Sequence, residues 1–368
     1  MNLKQLSILF LFLASPWVIN AAEPIKIGVA GSFSGDLAPY GIPAKHAVEL
    51  AAEELNQAGG LLGRQVLVIA QDDVCKPETA TNVAAKLIDQ GVVAVIGHIC
   101  SGATNAALSV YKDVKMPVLS PSATLPSLTL EGKNPYFFRT IPHDAIQARV
   151  QAEFIVKHLK APTAVVLHDK GDYGKGLASL VKQELEQRGV QVLLFEGVTP
   201  GAVDYSALIR KLGQAQPAVV AFGGYHPEAS KLVTQARKKG LKTPFVSGDG
   251  VKDPSFLKIG GKFVEGYYVT SPQDISSNPL TLKVTKALKA RGQEPGNFGL
   301  QAHAAFTALV AAIAGQNSTR PEAIKKGLQA NQVETTLGKI IFDAQGDVQG
   351  SGFSVYQVQQ GHFANLAW

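Results

Sequence analysis

Two short loops carry the residues best suited to chemistry. His98 to Thr104 (HICSGAT) and Ser120 to Thr124 (SPSAT) each follow an apolar run of strand length, Val92 to Ile96 and Pro117 to Leu119. Between them, Ala103 to Tyr111 has apolar positions at helical spacing, so the stretch reads as strand, helix, strand. That order sets the two loops side by side at the carboxyl edge of a parallel sheet, where open α/β folds bind ligands. Both loops supply hydroxyls and backbone donors, and neither supplies a strong base. Such a rim suits a small zwitterion or anion held by hydrogen bonds. It is poorly equipped for catalysis, which needs a nucleophile beside a base. The serines lack the nucleophile-elbow pattern, and no histidine is assignable to them.

Other chemistries fare worse. His98 beside Cys100, with Cys75 distant, matches no zinc spacing, and a disulfide would consume both sulfurs. His98 is expected to bond to backbone at the edge of the core, and Asp72 and Asp73 to be solvated loop acids. The glycines of GVAGSFSG fall at 28, 31 and 35, which is not the dinucleotide fingerprint. No metal and no cofactor is expected.

The elements that must position these loops run through the whole chain. Ile25 to Val29, then Val66 to Ala70, alternate with helical segments on Ala47 to Leu55 and from Pro77 to Leu87 before the central unit begins. The order predicts a doubly wound parallel sheet. Gly132 to Pro142 reads as a transition. Beyond it, a second α/β series runs from the helix at Ala145 to the strand Phe245 to Val246, which ends in SGDG. Gly338 to Phe342 and Gly352 to Val358 are expected to be late strands forming an antiparallel pair of edges.

At 368 residues the chain suits two domains, and its apolar share of 46% with 17% charged residues describes a globular protein. Lys4, the apolar run LSILFLFLASPWVI and the small residues Ala21 and Ala22 predict a cleaved secretory signal over 1–22. Its removal takes only Lys4 from the net charge of +6. The remaining positives are scattered without interleaved aromatics, which argues against nucleic acid. Cys75 and Cys100 both lie in the exported part, where an even pair favours a disulfide.

With these residues in view, the chain resembles the periplasmic leucine/isoleucine/valine-binding proteins of branched-chain amino acid ABC transporters. The likeness rests on SGDLAPYG, AAEELNQAGGLLG, DDVCKP, VIGHICSGAT, LSPSAT, HDKGDYGKG, FGGYHPEA, and Gly346, Asp347 followed by Gly352, Phe353. It implies a type I periplasmic binding protein of two doubly wound lobes joined by a three-crossover hinge. Lobe 1 would be 23–142 plus 273–350, and lobe 2 would be 143–272 plus 351–368. It also implies that Ser101 and the amide of Thr124 hold a ligand carboxylate. The carbonyl of Ser122, the hydroxyl of Thr124 and Asp249 would hold the ammonium. Tyr40, Ile99, Tyr173, Tyr225 and Phe298 would wall in the side chain, and Cys75 and Cys100 fall where the family has its disulfide. The implied partners are a small amino acid and the permease subunits of an importer, in the periplasm, with the binding protein monomeric.

Three positions depart from the family pattern. Where the branched-chain proteins carry Glu in a GPEG context, this chain has Gly248, Asp249, Gly250. The acid is shorter by one C–C bond, about 1.5 Å, so the cleft closes tighter, a water fills the gap, or the ligand differs. Gly102 stands where serine is common and Ser122 where alanine is common, which together suggest a slightly more polar rim. A polar amino acid, a short amide, or a ligand-sensing role for the same cleft are the alternatives. The plainest reading makes Ser101, Ser122 and Thr124 helix caps, Tyr173 and Tyr225 half-buried surface aromatics, and Asp249 a turn residue.

Overall fold

The apolar runs become parallel strands because helices cover both faces of each sheet. The computed structural model describes residues 23–368; the expected leader, 1–22, lies outside the described residues. Strand β1 (Ile25–Gly31) is followed by α1 (Ala38–Gln57), β2 (Val66–Asp72), α2 (Pro77–Asp89), β3 (Ala94–Ile96), α3 (Ser101–Tyr111), β4 (Val118–Ser120) and β5 (Phe137–Arg139). They build a five-stranded parallel sheet in the order β2-β1-β3-β4-β5. Since β3 and β4 are neighbours, their carboxyl-end loops lie side by side. Strand β5 falls within the segment read as a transition. It is three residues long, too short for a periodic signal, and Pro135 and Pro142 flank it.

The second series comprises α4 (Asp144–Lys157), β6 (Thr163–His168), α5 (Asp172–Gln187), β7 (Gln191–Gly197), α6 (Ser206–Ala215), β8 (Val219–Gly223), α7 (His226–Lys238), β9 (Phe245–Ser247), α8 (Pro254–Gly260) and β10 (Tyr268–Pro272). Three helices follow, α9 (Pro279–Ala290), α10 (Gly299–Gln316) and α11 (Pro321–Ala330). A small hairpin comes next, β11 (Val333–Thr335) with β12 (Gly338–Ile340), and the chain ends in β13 (Phe353–Gln359) and β14 (His362–Asn365). The second sheet has the order β14-β13-β10-β9-β8-β6-β7. It is parallel from β10 to β7, with β13 antiparallel to β10 and β14 antiparallel to β13.

The expected pairing of the two late strands is corrected here. Strand β12 pairs with β11, closed by the Thr335 hydroxyl donating to the Gly338 carbonyl at 2.8 Å, whereas β13 is an interior strand between β10 and β14. The turn into β14 is two residues, Gln360 and Gly361, both with positive φ, the geometry of a tight hairpin.

Helix α10 packs on α1 and over β3 and β4, so the chain returns to the first sheet after β10 and leaves it again for β13. Among the described residues it passes between the sheets three times, at 140–143, 273–278 and 349–352. One apolar cluster fills the space around the first sheet, and two others lie on the faces of the second.

Candidate functional site

The loop after β3 is held from below by a buried polar chain. Asp73 takes the Cys75 amide at 2.8 Å, and its other oxygen lies 2.6 Å from His98 Nδ1; His98 Nε2 lies 3.2 Å from the Tyr111 hydroxyl. Asp73 and His98 are fully buried, which corrects two expectations: Asp73 is not a solvated acid, and the His98 ring bonds to side chains rather than to backbone. Asp72 is half-buried and accepts from the Ser34 hydroxyl at 2.6 Å. The Cys75–Cys100 disulfide, Cα–Cα 5.4 Å, ties the same loop to the end of β2. Among the described residues no group of three or more His, Cys, Asp or Glu is arranged to hold a metal ion.

Hydroxyls then join the two rim loops. Ser120 Oγ donates to the His98 carbonyl at 2.7 Å, and Ser122 Oγ donates to the Ile99 carbonyl at 2.7 Å. The Ser122 hydroxyl is thereby committed inside lobe 1, and Gly102 lies toward Asp172 of the other lobe with no side chain of its own. The expected gain in rim polarity from these two residues is therefore absent.

Ser101 and Thr124 are placed differently. Ser101 opens α3, whose preceding residue Cys100 makes no side-chain cap, so the first amides of the helix receive no capping side chain. Its Oγ accepts the Leu125 amide at 3.3 Å and keeps its own proton to donate. Thr124 is fully buried, and its Oγ1 makes no hydrogen bond. Neither is a helix cap.

Asp249 sits in a one-turn 3₁₀ segment after β9 and is 2% exposed. Its Oδ1 accepts from Gln147 Nε2 at 3.0 Å and from the Tyr173 hydroxyl at 2.8 Å. Burial raises its pKa, and these two bonds partly offset the rise. The glycines around it are needed. A Cβ at Gly248 would lie 2.5 Å from the Tyr173 hydroxyl oxygen, and one at Gly250 would lie 2.8 Å from the Tyr173 ring.

A second acid, absent from the sequence reading, lies beside this one. Asp144, the first residue of α4, is fully buried, and neither of its carboxyl oxygens has a hydrogen-bond partner. Its amide donates to the Thr124 carbonyl at 2.8 Å. Burial first, then the charge of Asp249, push its pKa well above the carboxylate range; the neighbouring Thr124 hydroxyl and Arg139 pull the other way. The sequence hid it because an acid in the first turn of a helix is an ordinary, favourable feature.

The aromatic residues complete the enclosure and bridge the lobes. Tyr40 is fully buried; its hydroxyl donates to the Gly250 carbonyl at 2.7 Å and lies 2.6 Å from His226 Nδ1, which must therefore donate to it. Asn297 Nδ2 donates to the Asp249 carbonyl at 3.0 Å. The Tyr40 ring lies 6.0 Å from Tyr225 and 5.8 Å from Phe298, and Tyr173 lies 5.1 Å from Tyr225. Ile99, Tyr173 and Phe298 are buried, whereas Tyr225 is half-buried. The cleft is closed, and the two acids in it face no lysine or arginine within ion-pair distance among the described residues. His226, Gln147 and Asn297 also escaped the sequence reading; of these only His226 lay in a segment already singled out, FGGYHPEA.

Comparison with known proteins agrees with this architecture. The periplasmic binding protein family profile matches residues 24–362. The leucine-, isoleucine-, valine-, threonine-, and alanine-binding protein of Pseudomonas aeruginosa is 39% identical over 338 residues, 92% of this chain and 90% of that protein. The Leu/Ile/Val-binding protein of Escherichia coli K12 is 36% identical over 336 residues, 91% of each. Among solved structures, the leucine-binding protein LivK of Thermotoga maritima has a TM-score of 0.87 at 28% identity, covering 93% of this chain and 98% of that one. LivJ of Streptococcus pneumoniae, in complex with isoleucine, has a TM-score of 0.83 at 27% identity, covering 93% and 99%. The fold is that of the type I periplasmic binding proteins, and the chain belongs to the periplasmic binding protein family.

Proposed function

We propose that this protein captures a small aliphatic amino acid between its lobes and delivers it to the permease subunits of an ABC importer. The observation that carries the reading is the pair of buried acids, Asp144 and Asp249, beside the unpartnered Thr124 hydroxyl. Two carboxylates shut away from water disfavour closure unless they take up protons or a cation enters with them. An amino-acid ammonium supplies that cation, with the Ser122 carbonyl and Thr124 Oγ1 as its remaining acceptors. The Ser101 hydroxyl, the first amides of α3 and the Thr124 amide take the carboxylate. Tyr40, Ile99, Tyr173, Tyr225 and Phe298 line the side-chain end.

Neither lobe holds the whole set. Ser101 and Thr124 belong to the first sheet, Asp249 and Tyr173 to the second, and Asp144 begins the helix after the first crossing. Lobes of 23–142 plus 273–350 and 143–272 plus 351–368 would then close on the ligand, which favours the closed form through contacts made only there. The relatives named for leucine, isoleucine and valine support an aliphatic ligand. The Ser122 hydroxyl, turned inward, offers a polar ligand nothing. The Cys75–Cys100 disulfide suits an oxidising compartment such as the periplasm. Calorimetric titration with amino acids tests the reading: binding of leucine, isoleucine or valine supports it, and binding of none of the twenty overturns it.

A further inference from the structure

We infer that Arg139, on β5, is the positioning residue that aims the Thr124 amide at the ligand carboxylate. This rests on the amino-acid reading above and concerns a residue outside the ligand cage. Arg139 is fully buried, and its guanidinium is used on every side. Nη1 donates to the Ala123 carbonyl at 3.1 Å and to the Leu125 carbonyl at 2.9 Å; Nη2 donates to Thr129 Oγ1 at 2.5 Å. Nε pairs with Asp347, whose other oxygen accepts from the Thr129 hydroxyl at 3.0 Å. One nitrogen therefore grips the carbonyls on both sides of Thr124.

The consequence follows from the planar trans peptide. The Ala123 carbonyl and the Thr124 N–H belong to one rigid unit and point in opposite directions. With the carbonyl turned to Arg139, the Thr124 N–H is turned away from it. In the next peptide both ends are also committed: the Thr124 carbonyl accepts the Asp144 amide at 2.8 Å, and the Leu125 amide is given to Ser101 Oγ at 3.3 Å. Of the four polar groups in the two peptides flanking Thr124, three are tied within the protein. The Thr124 N–H alone has no partner among the described residues.

The clamp is itself anchored by a distant segment. Asp347 lies 208 residues beyond Arg139, and the Arg139 amide donates to the Gly346 carbonyl at 3.0 Å. Gly346 has φ +98°, and a Cβ there would lie 2.1 Å from the Phe137 carbonyl oxygen, so only glycine lets the acid approach β5. Lysine at 139 would keep the charge near Asp347 yet lose the planar fork that reaches two carbonyls and Thr129 together.

The test compares an amino acid with its carboxamide, which keeps the ammonium and side chain and loses the carboxylate charge. L-leucine, L-valine and their amides are titrated into wild type and Arg139→Lys, with circular dichroism and thermal melting as controls of folding. The expected result is a loss of at least about tenfold for the amino acids and less than about threefold for the amides, so that the preference for the carboxylate collapses. Equal losses for both would make Arg139 a general support of the fold and overturn the inference. Asp347→Asn, which leaves the guanidinium in place but loosened, is expected to show the same pattern more weakly. Nitrogen-15 NMR of the wild type needs no variant: the Thr124 amide resonance is expected to move downfield with leucine and far less with leucinamide. An unmoved resonance on saturation with leucine overturns the inference, while failure of the wild type to bind any of the twenty amino acids overturns the amino-acid reading beneath it.

Discussion

Replacing Asp144 by asparagine should move ligand binding and ligand-free stability in opposite directions. The carboxyl is fully buried, accepts no hydrogen bond, and lies in the field of Asp249, so in the empty closed cleft it opposes folding. Its cost has a ceiling. Taking up a proton at pH 7, against an ordinary value of 3.8, costs about 4 kcal/mol, and beyond that the group simply becomes neutral. Asparagine removes much of this penalty and gives up about 0.5 kcal/mol of favourable interaction with the start of α4. The ligand-free variant should therefore be more stable by about 1–3 kcal/mol at pH 7, and the gain should shrink as the solution is acidified and the wild-type acid takes its proton. Binding should suffer. Loss of a buried charge opposite an ammonium costs about 2–3 kcal/mol, or about 30- to 150-fold in affinity. Calorimetry with an aliphatic amino acid and thermal melting of the ligand-free protein measure the two effects. Unchanged affinity, or affinity and melting temperature falling together, would refute the placement of Asp144 as a partner of the ligand.

Further outcomes concern the Tyr40 hydroxyl, the core and the disulfide. Tyr40→Phe removes the hydroxyl that joins Gly250 and His226 across the lobes; stopped-flow kinetics should show dissociation faster by about 5- to 30-fold with little change in association. His303 on α10 is buried, which pushes its pKa down to about 4. The unfolded chain takes this proton first as pH falls from 6.5, so stability should drop by up to about 3 kcal/mol between there and pH 4. Denaturant melts of His303→Gln should show a flatter slope over that window. Serine at both Cys75 and Cys100 opens a loop of separation 25, and urea unfolding should report a loss of about 3.5 kcal/mol.

What was legible in the sequence had a local cause. The rim loops could be placed because the strands before them are short apolar runs and the helix between them is periodic, and both features are set by burial. Asp249 stood out between two glycines, and those glycines are present because Tyr173 packs where their side chains would be. Asp144 was not legible, since nothing near it in sequence distinguishes a helix-opening acid that faces solvent from one that faces a cleft. The same holds for Asp73 and His98, which meet across 25 residues, and for the Ser122 hydroxyl, whose partner Ile99 lies on the other loop. The late strands were misread for a related reason. A strand's own residues reveal that it is half-buried without naming its neighbour, and β13 finds β10 rather than β12.

The most direct measurement is calorimetric titration of the refolded, ligand-stripped protein against the twenty amino acids and a few small amides, repeated with Asp249→Ala. A cleft built for an aliphatic zwitterion predicts tight binding of leucine, isoleucine or valine, lost in the variant because its ammonium no longer meets Asp249. Binding confined to a polar amino acid or a neutral amide, or binding indifferent to Asp249, would contradict it.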